Sequence, residues 1–72
     1  MWMKYFDEWK VNRIHSDPEI LAGTVVFRGT RISVAMIGKL AKISKPEEIL
    51  KDYPDLLPLD VTFARWWLNT NG

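Results

Sequence analysis

His15 and Asp17 are the first side chains in this sequence whose types could do chemistry together. An imidazole near a carboxylate can serve as an acid–base pair, provided that both reach one substrate proton. Here the two stand in the turn-like stretch "HSDPE", where neighbouring polar residues are commonplace, and the plainer reading is a solvated turn. Glu47 and Glu48 are adjacent on a helical stretch, so their side chains diverge and do not form a catalytic pair. The sequence has no phosphate loop, dinucleotide fingerprint or nucleophile elbow. With no cysteine and one histidine, it also lacks the usual makings of a thiolate or histidine-rich metal site. These residues therefore predict a protein that is not an enzyme and needs no cofactor.

The remaining groups with chemical reach are cations. "VVFRGTRISV", residues 25–34, places Arg28 and Arg31 on either side of Gly29-Thr30, between β-branched residues and a helical period. Two arginines on one turn suit phosphate or an acidic partner, helped by Lys42 and Lys45. The plainer alternative is a junction. Glycine takes backbone angles that other residues resist, and a threonine hydroxyl bonds locally where strand gives way to helix. The whole chain carries ten basic and nine acidic residues, net +1, so any nucleic-acid contact would have to come from a local patch.

The elements around these groups follow from periodicity. Trp2, Tyr5, Phe6 and Trp9 recur at helical spacing, which fits either a short helix or an arm laid on another surface. Residues 10–15 and "TVVFR" pair as a small ribbon. Between them Ser16 or Asp17 caps a turn that Pro18 opens and Gly23 ends. From Ser33, a candidate cap, Val34, Ile37, Leu40 and Ala41 share one helical face. Ser44 and Glu47 have capping-box spacing around Pro46, and Ile49, Leu50 and Tyr53 give the apolar side of a second helix. A third helix opens at Pro58 with Asp60 in its first turn and runs to Asn69. The expected architecture is mainly α: three helices in a homeodomain-like helix-turn-helix order behind a small β element. An aromatic arm would occupy residues 1–10 and a single domain residues 11–72.

Seventy-two residues without a disulfide make a marginal core, which favours support from oligomerisation or a bound partner. The third helix points the same way. Val61, Phe63, Ala64, Trp66, Trp67 and Leu68, with Leu59, cover an arc of about 220° and leave Thr62, Arg65 and Asn69 as its polar remainder. One core needs a much narrower stripe. Trp2, Phe6, Trp9, Phe63, Trp66 and Trp67 are accordingly the candidate protein interface of a homodimer, since aromatic residues anchor interfaces. The alternative is that the N-terminal aromatics cover the third helix within one chain. With a single arginine on that helix, base readout from it is not expected. No apolar run reaches the ~20 residues of a membrane span, and the N-terminus lacks signal-peptide features, so a cytoplasmic protein without membrane contact is expected.

The segment "SDPEILAGTVVFRGTRISV" followed by "EEILKDYPDLLPLDV" resembles the bacterial domain-of-unknown-function 433 family, over about Ile14 to Trp67. Members typically carry Asp-Pro-Glu-Ile, a glycine-containing turn, Arg-Gly-Thr-Arg-Ile, and later Glu-Glu-Ile-Leu with Tyr-Pro. The resemblance implies a homeodomain-like helix-turn-helix fold with a small β element. It also implies a relation to VapB-type antitoxins, encoded beside PIN-like ribonuclease toxins. The expected function is thus an antitoxin of a type II pair that binds such a toxin, and operator DNA, as a dimer. The alternative is a protein-interaction or dimerisation module with no nucleic-acid role. Ala22 stands where the family usually has Gly, Val25 and Ser33 where Pro is common, and Leu57 and Leu59 where a polar pair usually opens the last helix.

Overall fold

The structure, a computed structural model, describes residues 2–19 and 21–71. The chain divides into two compact units, Met1–Ser33 and Val34–Gly72. Among the described residues it is mainly helical, with four α-helices and one two-stranded antiparallel sheet. No helix in them is long and apolar enough to cross a membrane.

The N-terminal unit opens with α1, Trp2–Arg13. The expected arm is therefore a helix, and the boundary placed at residue 10 falls inside it. Residues 10–13, expected in a strand, belong to this helix as well, because the helical repeat of Phe6 and Trp9 is carried on past Lys10. Phe6 and Trp9 are buried and stacked, with ring centroids 5.7 Å apart and planes 13° from parallel. Tyr5, one position off that stripe, is 55% exposed. Lys10 Nζ lies 3.4 Å from Asp7 Oδ1 and over the Phe6 ring, 4.9 Å from its centroid, so the ammonium itself sits on the aromatic face.

Strand β1, Ile14–Ser16, pairs antiparallel with β2, Val25–Phe27, in the register Ile14 to Phe27, His15 to Val26 and Ser16 to Val25. Two three-residue strands are too short to stand alone. Burial of Ile14, Val26 and Phe27 holds them, and Trp9 meets Phe27 edge-on at 6.2 Å. The connection is closed locally: Asp17 Oδ1 accepts the Glu19 N–H at 2.9 Å, and the Ser16 hydroxyl donates to the Gly23 carbonyl. In place of the expected helical turn from Pro18 to Gly23 there is a 3₁₀ turn, Leu21–Gly23; Ile20 lies outside the described residues. Ala22 there has φ 56° and ψ 36°, left-handed backbone that a Cβ disfavours, at the position where the family usually has Gly.

The C-terminal unit holds α2, Val34–Leu40, α3, Pro46–Asp52, and α4, Pro58–Asn71. Val34, Ile37 and Gly38 form the buried side of α2, while Ile49, Leu56, Val61, Phe63 and Ala64 are buried elsewhere in the unit. Gly38 sets the α2–α4 approach: a Cβ placed there would lie 2.7 Å from the Ala64 carbonyl oxygen and 3.0 Å from the Leu68 Cβ. The Ser44–Glu47 capping box does not form. Lys45 is the N-cap of α3, with no side-chain cap bond, because Pro46 takes the first helical position and holds the residue before it extended, at φ −75° and ψ 148°. At α4 the fully buried Asp60 accepts the Leu57 N–H at 2.8 Å, while its own N–H donates to the Leu57 carbonyl at 2.9 Å. This is the return half of a capping box, kept although Leu57 has no side-chain oxygen to supply the other half.

Gly38→Ala should destabilise the protein by about 1–3 kcal/mol despite alanine's better helix propensity, since the clash is with backbone. Ala22→Gly should stabilise it, by up to about 1 kcal/mol after glycine's larger unfolded-state entropy is counted. Urea unfolding of the two variants beside the parent checks both signs.

Candidate functional site

Within the N-terminal unit the Arg-Gly-Thr-Arg turn is built from its own backbone. The Thr30 N–H donates to the Phe27 carbonyl at 3.0 Å, closing a four-residue turn whose third residue, Gly29, has φ 79°. A positive φ at that position is the type II requirement, and it explains the glycine. The Thr30 hydroxyl donates to the Phe27 carbonyl at 2.8 Å and accepts the Ile32 N–H at 3.0 Å. The Phe27 N–H donates to the Ile32 carbonyl at 3.0 Å, and Val26 bridges to Ser33 just before α2 begins.

Arg28 faces back onto the end of α1. Its backbone N–H donates to the Arg13 carbonyl at 2.7 Å. One guanidinium nitrogen, Nη2, donates to the carbonyls of Val11 at 3.0 Å and Ile14 at 3.1 Å. The last carbonyls of a helix have no partners within it, and a cation there also suits the helix dipole. The second nitrogen, Nη1, lies 3.3 Å from His15 Nδ1. A guanidinium only donates, so Nδ1 is the acceptor and the ring proton belongs on Nε2. Nε2 is buried with no hydrogen-bond partner among the described residues. Arg31, by contrast, is exposed.

Lys42 and Lys45, expected to assist the two arginines, are exposed in the C-terminal unit. They flank the turn between α2 and α3, where Ala41, Lys42, Ile43 and Ser44 donate successive N–H groups back to Ile37, Lys39, Leu40 and Leu40. Beside that turn lies a groove of about 350 Å³ lined by Ala41, Pro46, Val61, Thr62, Arg65, Trp66 and Asn69. Its lining mixes apolar Ala41, Pro46 and Val61 with polar Thr62 and Asn69, and its charged lining side chain is Arg65. Lys42 follows Ala41 and Lys45 precedes Pro46 in the chain, while Glu47 follows Pro46.

Of the six aromatic residues expected at a protein interface, Phe6, Trp9 and Phe63 are instead core, with at most 6% exposure. The side chain of Trp2 lies outside the described residues. Trp66 and Trp67 are half-buried, and Phe63 meets the Trp66 indole edge-on at 5.3 Å. Sequence reading missed the groove. Thr62, Arg65 and Asn69 did stand out as the polar remainder of the last helix, but nothing in that pattern placed Ala41 and Pro46 across from them.

The model of the family described as "Protein of unknown function (DUF433)" matches residues 14–65. Comparison with curated proteins gives no match. Among solved structures, the 2.00 Å crystal structure of a DUF433 member protein from Anabaena variabilis is similar with a TM-score of 0.70 at 25% sequence identity. The similarity covers 97% of this chain and 69% of that one.

If Arg28 is a clamp on α1, Arg28→Met should lower stability by about 1–2 kcal/mol, because it strips two carbonyls of a charged donor. Arg31→Met should stay within about 0.5 kcal/mol of the parent. Thermal unfolding of the pair separates the two roles, and equal losses would contradict the assignment.

Proposed function

The chain belongs to the family described as protein of unknown function (DUF433), and on that premise we propose that it is a non-enzymatic antitoxin. In this reading it pairs with a PIN-like ribonuclease toxin and, as a homodimer, contacts operator DNA. The observation that carries the reading is the run from α2 to α4. The seven-residue α3 and the fourteen-residue α4 are joined through residues 53–57, and Thr62, Arg65 and Asn69 are exposed on α4. Two helices joined by a short turn, the second with a polar outer edge, fit a helix-turn-helix unit of the homeodomain-like kind. Lys42 and Lys45 would give this unit phosphate contacts, which position a protein on DNA without reading sequence. Arg31 is the member of the Arg-Gly-Thr-Arg pair left for an acidic partner.

A protein-interaction module with no nucleic-acid role is favoured by a different observation. Leu57 and Leu59 are 53% and 58% exposed at the start of α4, where the family usually has polar residues. Those leucines, with Trp67, would supply dimer or toxin contacts in either reading.

Gel mobility of promoter DNA with the purified chain should show a complex that weakens steeply as salt rises. Absence of a complex at low salt would leave the interaction module. Co-expression with the product of the neighbouring gene, if that gene encodes a PIN-like nuclease, should relieve its toxicity. Light scattering should give a dimer that Trp67→Ala weakens, and a monomer at high concentration would contradict the dimer.

A further inference from the structure

The groove of the C-terminal unit has a lining that fits one ligand chemistry better than others. An indole, Trp66, shares the lining with neutral hydrogen-bonding side chains, Thr62 and Asn69, and with apolar Ala41, Pro46 and Val61. Arg65 supplies positive charge with no carboxylate in the lining. The edge-on contact of buried Phe63 at 5.3 Å holds the Trp66 ring, so little freedom remains to be lost when a planar group packs on it. Aromatic side chains stack any base, an asparagine amide reads the edge of a purine, and arginine takes the phosphate. The volume, about 350 Å³, lies at the small end of ligand sites and suits one such unit.

We propose that this groove binds a single unpaired nucleotide, with its base on Trp66 and Asn69 and its phosphate on Arg65. Lys42 and Lys45, exposed and next in the chain to the lining residues Ala41 and Pro46, would meet the phosphates of a connected strand. The inference stands apart from the antitoxin reading, because it needs neither a toxin nor an operator. It also differs from duplex recognition, since a stacked, splayed base is absent from an intact double helix. An acidic peptide could satisfy Arg65 but would leave Trp66 and Asn69 without a specific role.

The test is fluorescence anisotropy of the full chain with a labelled twelve-nucleotide single strand at low salt, competed by adenosine monophosphate, by the matching duplex and by polyglutamate. Binding of the strand should weaken by about tenfold or more in Trp66→Leu and in Arg65→Gln. Asn69→Ala, at an exposed position that leaves the core untouched, should weaken adenine-containing strands more than pyrimidine strands. Competition by the free nucleotide would identify a mononucleotide site, and resistance to it a site for strands; either supports the groove. No binding of strand or nucleotide overturns the proposal. Preference for the duplex, competition by polyglutamate at equal charge, or indifference to both Trp66→Leu and Asn69→Ala would also overturn it.

Discussion

At Gly38 two helix backbones come together with no side chain between them, and the C-terminal unit is organised by that constraint. A methyl group there would stand 2.7 Å from the Ala64 carbonyl, closer than carbon and oxygen pack. The short α2 thus lies directly on the middle of α4, with Val34 and Ile37 buried in the turn that precedes the crossing. Such an approach commits Ala64 and Leu68 inward and turns Thr62, Arg65 and Asn69 outward. The groove is a by-product of this geometry: it lies where the end of α2 and the start of α3 meet the outward edge of α4.

The N-terminal unit solves a different problem, that of finishing a helix whose last carbonyls point at a strand. Arg28 does so from a distance in sequence, satisfying Val11 and Ile14 with its side chain and Arg13 with its backbone. A residue that looks like a ligand contact in a linear motif is thus occupied by the fold. Thr30 is occupied in the same way, between Phe27 and Ile32. Of the motif's polar side chains, Arg31 alone extends from an exposed position without such a bond among the described residues.

Much of this was legible beforehand where one local rule decided the outcome. The helical period of Val34 and Ile37, the β-branched run at Val25 and Val26, and the need for glycine at position 29 each follow from nearest neighbours, and each is present. The features that escaped depend on partners distant in sequence or on competition between two signals. Lys10 to Arg13 read as strand, yet the helix begun by the aromatic residues runs through them. Ser44 matched a capping box, but Pro46 fixed the helix start one residue later. Gly38 was not singled out, because nothing local names Ala64 as the reason for a glycine inside the helical pattern. Phe6 and Trp9 were legible as aromatic, but not that Trp9 would stack on Phe6 and meet Phe27 of β2.

The distribution of tryptophan has a spectroscopic consequence. Trp9 is buried in the N-terminal unit beside Phe6 and Phe27, whereas Trp66 and Trp67 are half-buried in the C-terminal one. An indole in apolar surroundings emits further to the blue than one near water, so the emission band of this chain is a sum of distinguishable sources. Replacing tryptophans by phenylalanine until one remains would give each unit its own optical reporter. Denaturation curves followed at the two reporters would then coincide or separate, and so measure how far the two halves of this small chain fold as one cooperative system.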